Sequence, residues 1–325
     1  MKNEGTKALR EGAMMVALGA VLLLANRYIP FFSVVGMFVC GVPMAALAVR
    51  HSFKTVVPAL IATLIVSILI DGNILSAVSM MLMSVIPGAA TGFMLGRKKP
   101  FYYCLTAVTL TVSIGWIFEL FMLEVLMDNG IEKILSETMG QVEPLIKGAV
   151  EKLDGLKDSQ TFSPETLVNA VLDATRQTVK LYFPSFVVIF AMVTGYIIMR
   201  VSAFIINRAR LSEVESVPFS KLKAPRSMST VAIICYLVYV FWDKDSRLWP
   251  VFANVATILY SIISVTGLSV IDFKLKVKIP SGFLRFLIYA LVFIFGSALM
   301  GVVSSVLIVI GILDASHNFR GIEEC

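Results

Sequence analysis

The sequence is poor in the residues that most enzymes use for catalysis and metal binding. Its two histidines, His51 and His317, stand far apart, so a histidine-rich metal site is not expected, and its four cysteines show no CxxC spacing. The H-E-x-x-H, G-x-S-x-G and G-x-x-x-x-G-K-[ST] motifs are missing from it. We therefore predict a protein that is not an enzyme and has no cofactor. If it uses ATP, another chain must hydrolyse it.

Charge is also scarce, because charged residues make up 15% of the 325 residues while hydrophobic residues make up 58%. A soluble domain of this length cannot bury so much apolar surface, so the solvent must be a lipid bilayer. The net charge of +6 comes from cations beside the apolar segments, without a basic stripe interleaved with aromatics, which argues against nucleic-acid binding. We predict an all-α polytopic integral membrane protein.

Nine apolar stretches approach the length needed to cross a bilayer, and eight to ten spans fit the pattern. They cover residues 12–28, 34–49, 56–70, 74–95, 101–127, 181–206, 227–242, 250–271 and 286–313. The predicted parts are an N-terminal membrane core with spans 1–5 (1–127), an extracytoplasmic amphipathic helical module (128–180), span 6 (181–210), a cytoplasmic loop (211–226) and a C-terminal membrane part with spans 7–9 (227–325).

The distribution of lysine and arginine predicts a cytoplasmic N-terminus. With that orientation the cytoplasmic segments hold 18 of the 28 cations, in line with the positive-inside rule. The ninth stretch would form a helix of about 42 Å, well beyond the roughly 30 Å apolar core. We favour one tilted helix that leaves the tail outside. A hairpin that breaks near residues 296–301 and leaves the tail inside is the alternative.

Residues 128–180 are the part of the chain predicted to lie outside the membrane. Apolar residues recur at three- and four-residue steps from 131 to 153, and Ser163-Pro164-Glu165 is typical of a helix start. We predict two amphipathic helices joined by a polar turn at residues 154–161, the second running toward Tyr182-Phe183-Pro184. The module is either a passive connector, or a lid or docking surface.

Two spans carry stripes of small residues, which allow helices in lipid to pack closely. The first span has the alanine stripe Ala13, Ala17 and Ala20, and the fourth has the glycine stripe Gly88, Gly92 and Gly96. For the glycine stripe we favour packing inside the protein. The alanine stripe is open to two interpretations, internal packing or docking of a second protein.

Ionisable groups inside spans usually mark a pair, a boundary or a functional site. Arg27 ends the first span and Asp71 ends the third, where a position at the lipid headgroups is an adequate explanation. Glu119 lies among apolar residues of the fifth span, and Trp116 shares its helix face. Glu119 is predicted either to pair with Arg27 or to line an aqueous cavity.

The C-terminal third contains GLSVIDF-x-LK at residues 267–276 and GILDA-x-x-NFR at residues 311–320. Both segments resemble signatures of the uncharacterised YybS-like multi-pass membrane family of bacteria, and the overall plan resembles that family along the full length. The resemblance implies a multi-pass protein of the bacterial cytoplasmic membrane, and it brings no settled biochemical function.

The first six spans, residues 8–210, also resemble the substrate-binding S component of energy-coupling-factor transporters. The shared features are the alanine stripe, Pro30 after the first helix, and short spans with glycine and proline. In S components an alanine stripe of this kind docks the coupling subunit, which implies that role for Ala13 and Ala17. Their substrate lies in the outer half, which implies Trp116, Glu119 and Tyr182. S components lack the additional C-terminal spans.

Two functions follow from these patterns. The first is a non-enzymatic, S-component-like subunit that binds a small solute outside the cell, with Trp116, Glu119, Tyr182, Arg27 and Asp71 as candidate binding residues. Its partners would be the coupling subunit and ATPases of an energy-coupling-factor complex. The alternative is a membrane scaffold or regulatory interaction protein of the cell envelope.

Overall fold

The structure, a computed structural model, describes residues 2–154, 164–295 and 300–322. Within these ranges it consists of α-helices, a π-helical segment (Met81–Val85), a 3-10 turn (Phe219–Lys221), turns and loops, without a β-strand. The helices are α1 (Lys2–Tyr28), α2 (Pro30–Val39), α3 (Val42–Arg50), α4 (Phe53–Asp71), α5 (Ile74–Met80), α6 (Ile86–Gly96), α7 (Phe101–Met127), α8 (Gly130–Asp154), α9 (Pro164–Arg208), α10 (Arg226–Phe241), α11 (Trp249–Lys278), α12 (Gly282–Phe295) and α13 (Met300–His317).

Many of these helices are long and apolar enough to cross a membrane. Among the described residues seven segments qualify: Gly5–Tyr28, Pro30–Arg50, Phe53–Asp71, Ile74–Gly96, Phe101–Met127, Val168–Arg208 and Trp249–Lys278. Three shorter apolar helices, Arg226–Phe241, Gly282–Val292 and Gly301–His317, belong to the C-terminal part. The prediction of an all-α polytopic membrane protein is confirmed.

The glycine stripe of α6 packs against α3, which confirms the prediction of internal packing. A Cβ atom on Gly88 would overlap the carbonyl oxygen of Gly41, and one on Gly92 would overlap that of Ala45. Glycine therefore lets the two backbones touch. A core forms around this contact from α1, α3, α4, α6 and α9, and its buried members include Met15, Met44, Val56, Val85, Ala203 and Ile206.

Helix α9 differs from the expectation of two separate helices around Pro184. It is continuous over 45 residues, about 68 Å, so the second amphipathic helix and the sixth span are one element. Pro184 has no N–H to donate inside a helix. Beside it, the Asn254 side chain accepts from the Ser185 N–H at 3.1 Å and donates to the Leu181 carbonyl at 2.9 Å. Asn254 thus satisfies the two backbone groups that an uninterrupted helix would join to each other.

The first helix of the predicted outer module is present as α8, which packs beside the N-terminal half of α9. Met139 of α8 and Val168 of α9 are buried, and Lys180 Nζ lies 3.4 Å from Glu132 Oε1. The polar turn predicted at residues 154–161 falls, after Asp154, outside the described residues.

The C-terminal helices contradict the favoured single tilted helix. Helix α12 begins beside the C-terminal part of α11, since Arg285 Nε near its start donates to Asp272 Oδ1 at 2.7 Å. Helix α13 runs parallel to α11, because Arg320 just after it donates to Ser269 Oγ at 2.7 Å in the last third of α11. The chain therefore reverses between α12 and α13, and the connecting residues 296–299 lie outside the described residues. The alternative, a hairpin that breaks near residues 296–301, agrees with the two helices. Hydropathy alone does not choose between the two, because both halves of the run are equally apolar.

This reversal brings the C-terminal tail to the same end of the bundle as the loop between α9 and α10. The α6–α7 turn and the end of α9 lie there too. We call it the basic end, after its exposed cations Arg97, Lys98, Lys99, Arg208 and Lys221. A single tilted helix would have placed the tail at the opposite end.

Candidate functional site

Glu119 on α7 faces a neighbouring helix of the bundle. Its carboxylate accepts a hydrogen bond from the Ser79 hydroxyl of α5. Arg27 is exposed, and among the ion pairs that the structure describes none joins it to Glu119. Two environments were predicted for Glu119, and the first of them, an ion pair with Arg27, is not among the ion pairs that the structure describes. The structure shows a carboxylate turned toward a polar partner inside the bundle.

Trp116 lies one turn from Glu119 and packs its ring against Phe190 of α9, with 6.4 Å between the ring centroids. Its Nε1–H is buried and has no hydrogen-bond partner in the described part of the chain. The same is true of the Asn26 side-chain oxygen on α1. Unsatisfied buried polar atoms of this kind are rare, and a polar ligand is one way to satisfy them. They lie in the half of the bundle away from the basic end.

The other predicted binding residues lie apart from this pair. Asp71 ends α4, where its Oδ2 accepts from the Ser67 hydroxyl at 3.4 Å. The Tyr182 hydroxyl is 3.2 Å from the Tyr239 hydroxyl, so Tyr182 belongs to the contact between α9 and α10. Of the five residues predicted for a solute site, the structure brings together Trp116 and Glu119. No described hydrogen bond or ion pair links Arg27, Asp71 or Tyr182 to them.

The alanine stripe of α1 lies on an open groove between α1 and α4. The groove has a volume of about 580 Å³. Most of its lining residues are apolar and small, and Lys54 and Thr55 are the polar exceptions. The apolar ones include Gly12, Ala13, Val16, Ala17, Ala20, Pro58, Ala59, Ala62 and Val66. Ala13 and Ala17 are exposed, and Ala20 is half-buried.

The end of α1 beside the groove is fixed to α3. The Glu11 carboxylate Oε2 lies 3.2 Å from Arg50 Nη1 and 2.7 Å from His51 Nε2. On the other face of α1, Met15 and Leu23 are buried against the rest of the bundle. The groove is therefore a preformed surface.

A larger cleft opens at the basic end, with a volume of about 1030 Å³. It lies between the α6–α7 turn, the last turns of α9 and the loop that follows α9. Its cationic residues are Lys98, Lys99, Arg200, Arg208 and Lys221, and Glu215 is the acidic residue on its wall. The arrangement suits an anionic ligand.

The two C-terminal motif segments meet in a buried polar cluster. Arg320 Nη2 lies 2.7 Å from Asp314 Oδ2, with both side chains almost fully buried. Arg320 also donates to the carbonyl oxygens of Ser220 at 2.9 Å and Leu222 at 2.7 Å. This cluster ties the tail to the loop after α9.

A second polar cluster lies on α11, where Asp272 Oδ1 accepts from Arg285 Nε at 2.7 Å and from the Tyr289 hydroxyl at 3.0 Å. The sequence patterns described above do not predict the Asp272 and Asp314 ion pairs. A signal for them exists, however, since each motif segment places an aspartate inside or beside an apolar run. The described residues contain no group of three or more His, Cys, Asp and Glu side chains suited to a metal ion.

The fold and these features define a multi-pass, all-helical membrane protein with an open small-residue groove and a basic cleft. The chain belongs to the family described as "Predicted membrane protein (DUF2232)", whose model matches residues 17–315. It is 24% identical over 270 residues to "Uncharacterized protein YybS" of Bacillus subtilis (strain 168), which covers 82% of this chain and 84% of that protein. These matches confirm the YybS-like resemblance.

No solved structure matches the chain. Neither of the two matches is to an S component, so the second resemblance stays a prediction.

Proposed function

We propose that this protein is a non-enzymatic subunit of a larger membrane complex and docks a transmembrane helix of another protein in the α1–α4 groove. The supporting observation is a contrast between small-residue faces. Gly88 and Gly92 of α6 lie against α3, and Gly267 and Gly311 lie where α11 crosses α13. The alanine stripe has the same character, but its Ala13 and Ala17 are exposed.

Packing in lipid explains why this contrast points to a partner. Apolar helices gain little by leaving lipid tails for each other, so their association depends on close van der Waals contact, which small residues permit. The groove offers that contact and is held open by the contacts of Glu11 with Arg50 and His51. A partner helix with small or β-branched residues on one face would fit it.

The test is the double substitution Ala13→Leu with Ala17→Leu. The larger side chains fill the groove and hold a partner helix away, so we expect the variant to insert and fold normally but to lose at least tenfold of the co-purified partner. The measurement is quantitative mass spectrometry of complexes isolated in mild detergent. The matched control, Met14→Phe with Leu18→Phe, adds bulk at exposed positions on α1 outside the groove and should keep the partner.

Two outcomes would contradict the docking proposal. The first is a double variant that fails to accumulate, which would mean that the stripe packs inside the protein. The second is equal partner recovery from the groove variant and the control. If the recovered partner is another copy of this chain, the groove is a homodimer interface and the subunit proposal fails.

Within such a complex we propose the uptake of a small solute by an S-component-like mechanism, in a bacterial cytoplasmic membrane with the N-terminus cytoplasmic. The solute would bind near Trp116 and Glu119, and the 128–180 module would close over it. A coupling subunit with its ATPases would grip α1 and tilt the whole subunit. The polar atoms buried away from the basic end support this site. Labelling of an introduced cysteine in the loop 211–226 by a membrane-impermeant reagent would reveal the opposite orientation.

Glu119→Gln tests the solute site. The amide keeps the shape of the side chain and still accepts a hydrogen bond from Ser79, so we expect a folded protein. Loss of the charge should lower the occupancy of a co-purified solute about tenfold, as read from native mass spectra of the detergent-purified protein. The control is Glu124→Gln on the same helix, where the carboxylate is exposed and accepts from the Ile131 N–H at 3.2 Å. If both variants leave occupancy and thermal stability unchanged, the assignment of Glu119 is wrong.

The alternative function is a scaffold or regulatory interaction protein. The length of α9 favours it, because about 68 Å of helix exceeds the roughly 30 Å apolar core and extends an α8–α9 surface well away from the other spans. The partners recovered in the docking experiment separate the two functions. ATPases of a coupling complex support uptake, whereas envelope or signalling proteins support a scaffold.

A further inference from the structure

The basic cleft has an excess of cations without matching carboxylates. In the described part of the chain, neither Glu213 nor Glu215 forms an ion pair with a lysine or arginine of the cleft. Lys98 and Lys99 are exposed on the α6–α7 turn, at the edge of the cleft. The positive potential of the cleft is therefore available to a ligand.

Arg200 holds a fixed position at the inner wall of the cleft. It is half-buried on α9, and its Nη1 donates to the Ser216 carbonyl at 3.1 Å and to the Ser216 hydroxyl at 2.9 Å. These two contacts orient the guanidinium without neutralising it. An oriented, uncompensated guanidinium is well suited to a phosphate group, which it can bind through two parallel hydrogen bonds.

An apolar crevice of about 270 Å³ lies beside the cleft and runs deeper into the bundle. It is bounded by α7, α9, α11 and the loop after α9, and Phe101 lines both the cleft and the crevice. Along α9 the crevice extends from Tyr196, one turn before Arg200, to Met192, a further turn inward. A ligand that spans both spaces therefore needs a charged head and an apolar tail.

We propose that the cleft and the crevice together bind an anionic phospholipid. Its phosphate lies at Arg200 and at Lys98 and Lys99 of the α6–α7 turn, and one acyl chain lies in the crevice. Charge complementarity selects the anionic headgroup, since basic pockets between membrane helices attract acidic lipids. The apolar crevice selects a lipid over a soluble phosphate. This site is independent of the α1–α4 groove and of the solute site.

The experiment measures lipid binding to the full-length protein by native mass spectrometry, with phosphatidylglycerol and phosphatidylcholine of identical chains. We expect wild type to bind the anionic lipid more tightly. Lys98→Gln with Lys99→Gln, both exposed and so safe for folding, should weaken phosphatidylglycerol binding about tenfold. Arg200→Gln should do the same. The control Lys244→Gln with Arg247→Gln removes two exposed cations from the α10–α11 turn and should change binding less than twofold.

The proposed acyl-chain site is tested separately with Val265→Trp, because the larger side chain fills the crevice. This variant should weaken long-chain phosphatidylglycerol but leave a six-carbon-chain analogue unaffected. Displacement of long-chain lipid by millimolar inorganic phosphate would overturn the proposal in favour of a soluble anion. If wild type binds phosphatidylglycerol and phosphatidylcholine equally well, the proposal is overturned in favour of unspecific attraction. The same follows if the Lys244→Gln with Arg247→Gln control loses as much phosphatidylglycerol binding as the Lys98→Gln with Lys99→Gln variant. An acidic protein retained in the cleft instead of lipid would also overturn it.

Discussion

Asp314→Ala is expected to lower the free energy of unfolding by about 3–5 kcal/mol, because it leaves the Arg320 guanidinium buried without its carboxylate. The two side chains are 3% and 1% exposed. The carbonyl oxygens of Ser220 and Leu222 also accept from Arg320, so its rearrangement would loosen the tail from the loop after α9. Thermal unfolding in detergent, followed by intrinsic fluorescence, measures the loss.

The control for this prediction is Glu132→Ala, which breaks the Lys180–Glu132 pair between α8 and α9. Those side chains are 57% and 70% exposed, so solvent screens the pair and the cost should stay within about 0.5 kcal/mol. Asp314→Leu with Arg320→Met removes both charges and should recover much of the stability. Equal destabilisation by Asp314→Ala and Glu132→Ala would show that the buried pair contributes little.

The class of the protein and some of its packing could be predicted from the sequence, because both depend on composition and spacing. Three glycines at four-residue steps predict a helix face that another backbone can approach, and α3 lies on that face. The bounds of most spans follow from their apolar runs in the same way. The alanine stripe was located equally well, although spacing alone does not tell whether its partner lies inside or outside the chain.

Two features of the fold depend on contacts that are distant in sequence. Pro184 predicts a helix break, but Asn254 of α11 bonds the backbone groups on either side of it and α9 continues. The apolar stretch 286–313 allows one tilted helix or a hairpin, and Arg320 at the basic end requires the chain to reverse. In both cases the deciding residue lies outside the segment that carries the pattern.

The candidate solute site likewise depends on contacts that are distant in sequence. Glu119 stands out in the sequence because a carboxylate is costly among apolar residues, and the structure shows it half-buried on α7. Its partner could not be chosen in the same way. Charge favours Arg27, but the fold brings the Ser79 hydroxyl of α5 to the carboxylate, and a serine in a span has no distinctive pattern. The buried polar atoms of Asn26 and Trp116 are likewise visible as unpaired only when the helices are in place.

Gly92→Ala is expected to destabilise the protein by about 2 kcal/mol or more, although alanine is the better helix former. The added methyl group would overlap the carbonyl oxygen of Ala45 and lie 2.8 Å from the Ala48 Cβ. The obstacle is backbone, which cannot rotate away as a long side chain would, so α3 and α6 must separate. In lipid that separation removes the close contact which holds the pair together.

The matched control is Gly301→Ala on α13, where a Cβ would meet no atom within 4 Å. The same substitution should there stabilise the protein slightly, by up to about 1 kcal/mol, because alanine loses less conformational entropy in a helix than glycine does. Thermal unfolding in detergent should therefore shift in opposite directions for the two variants. If Gly92→Ala leaves the midpoint unchanged, α3 and α6 do not depend on backbone contact, and the glycine stripe loses the packing role that also supports the comparison with the alanine stripe of α1.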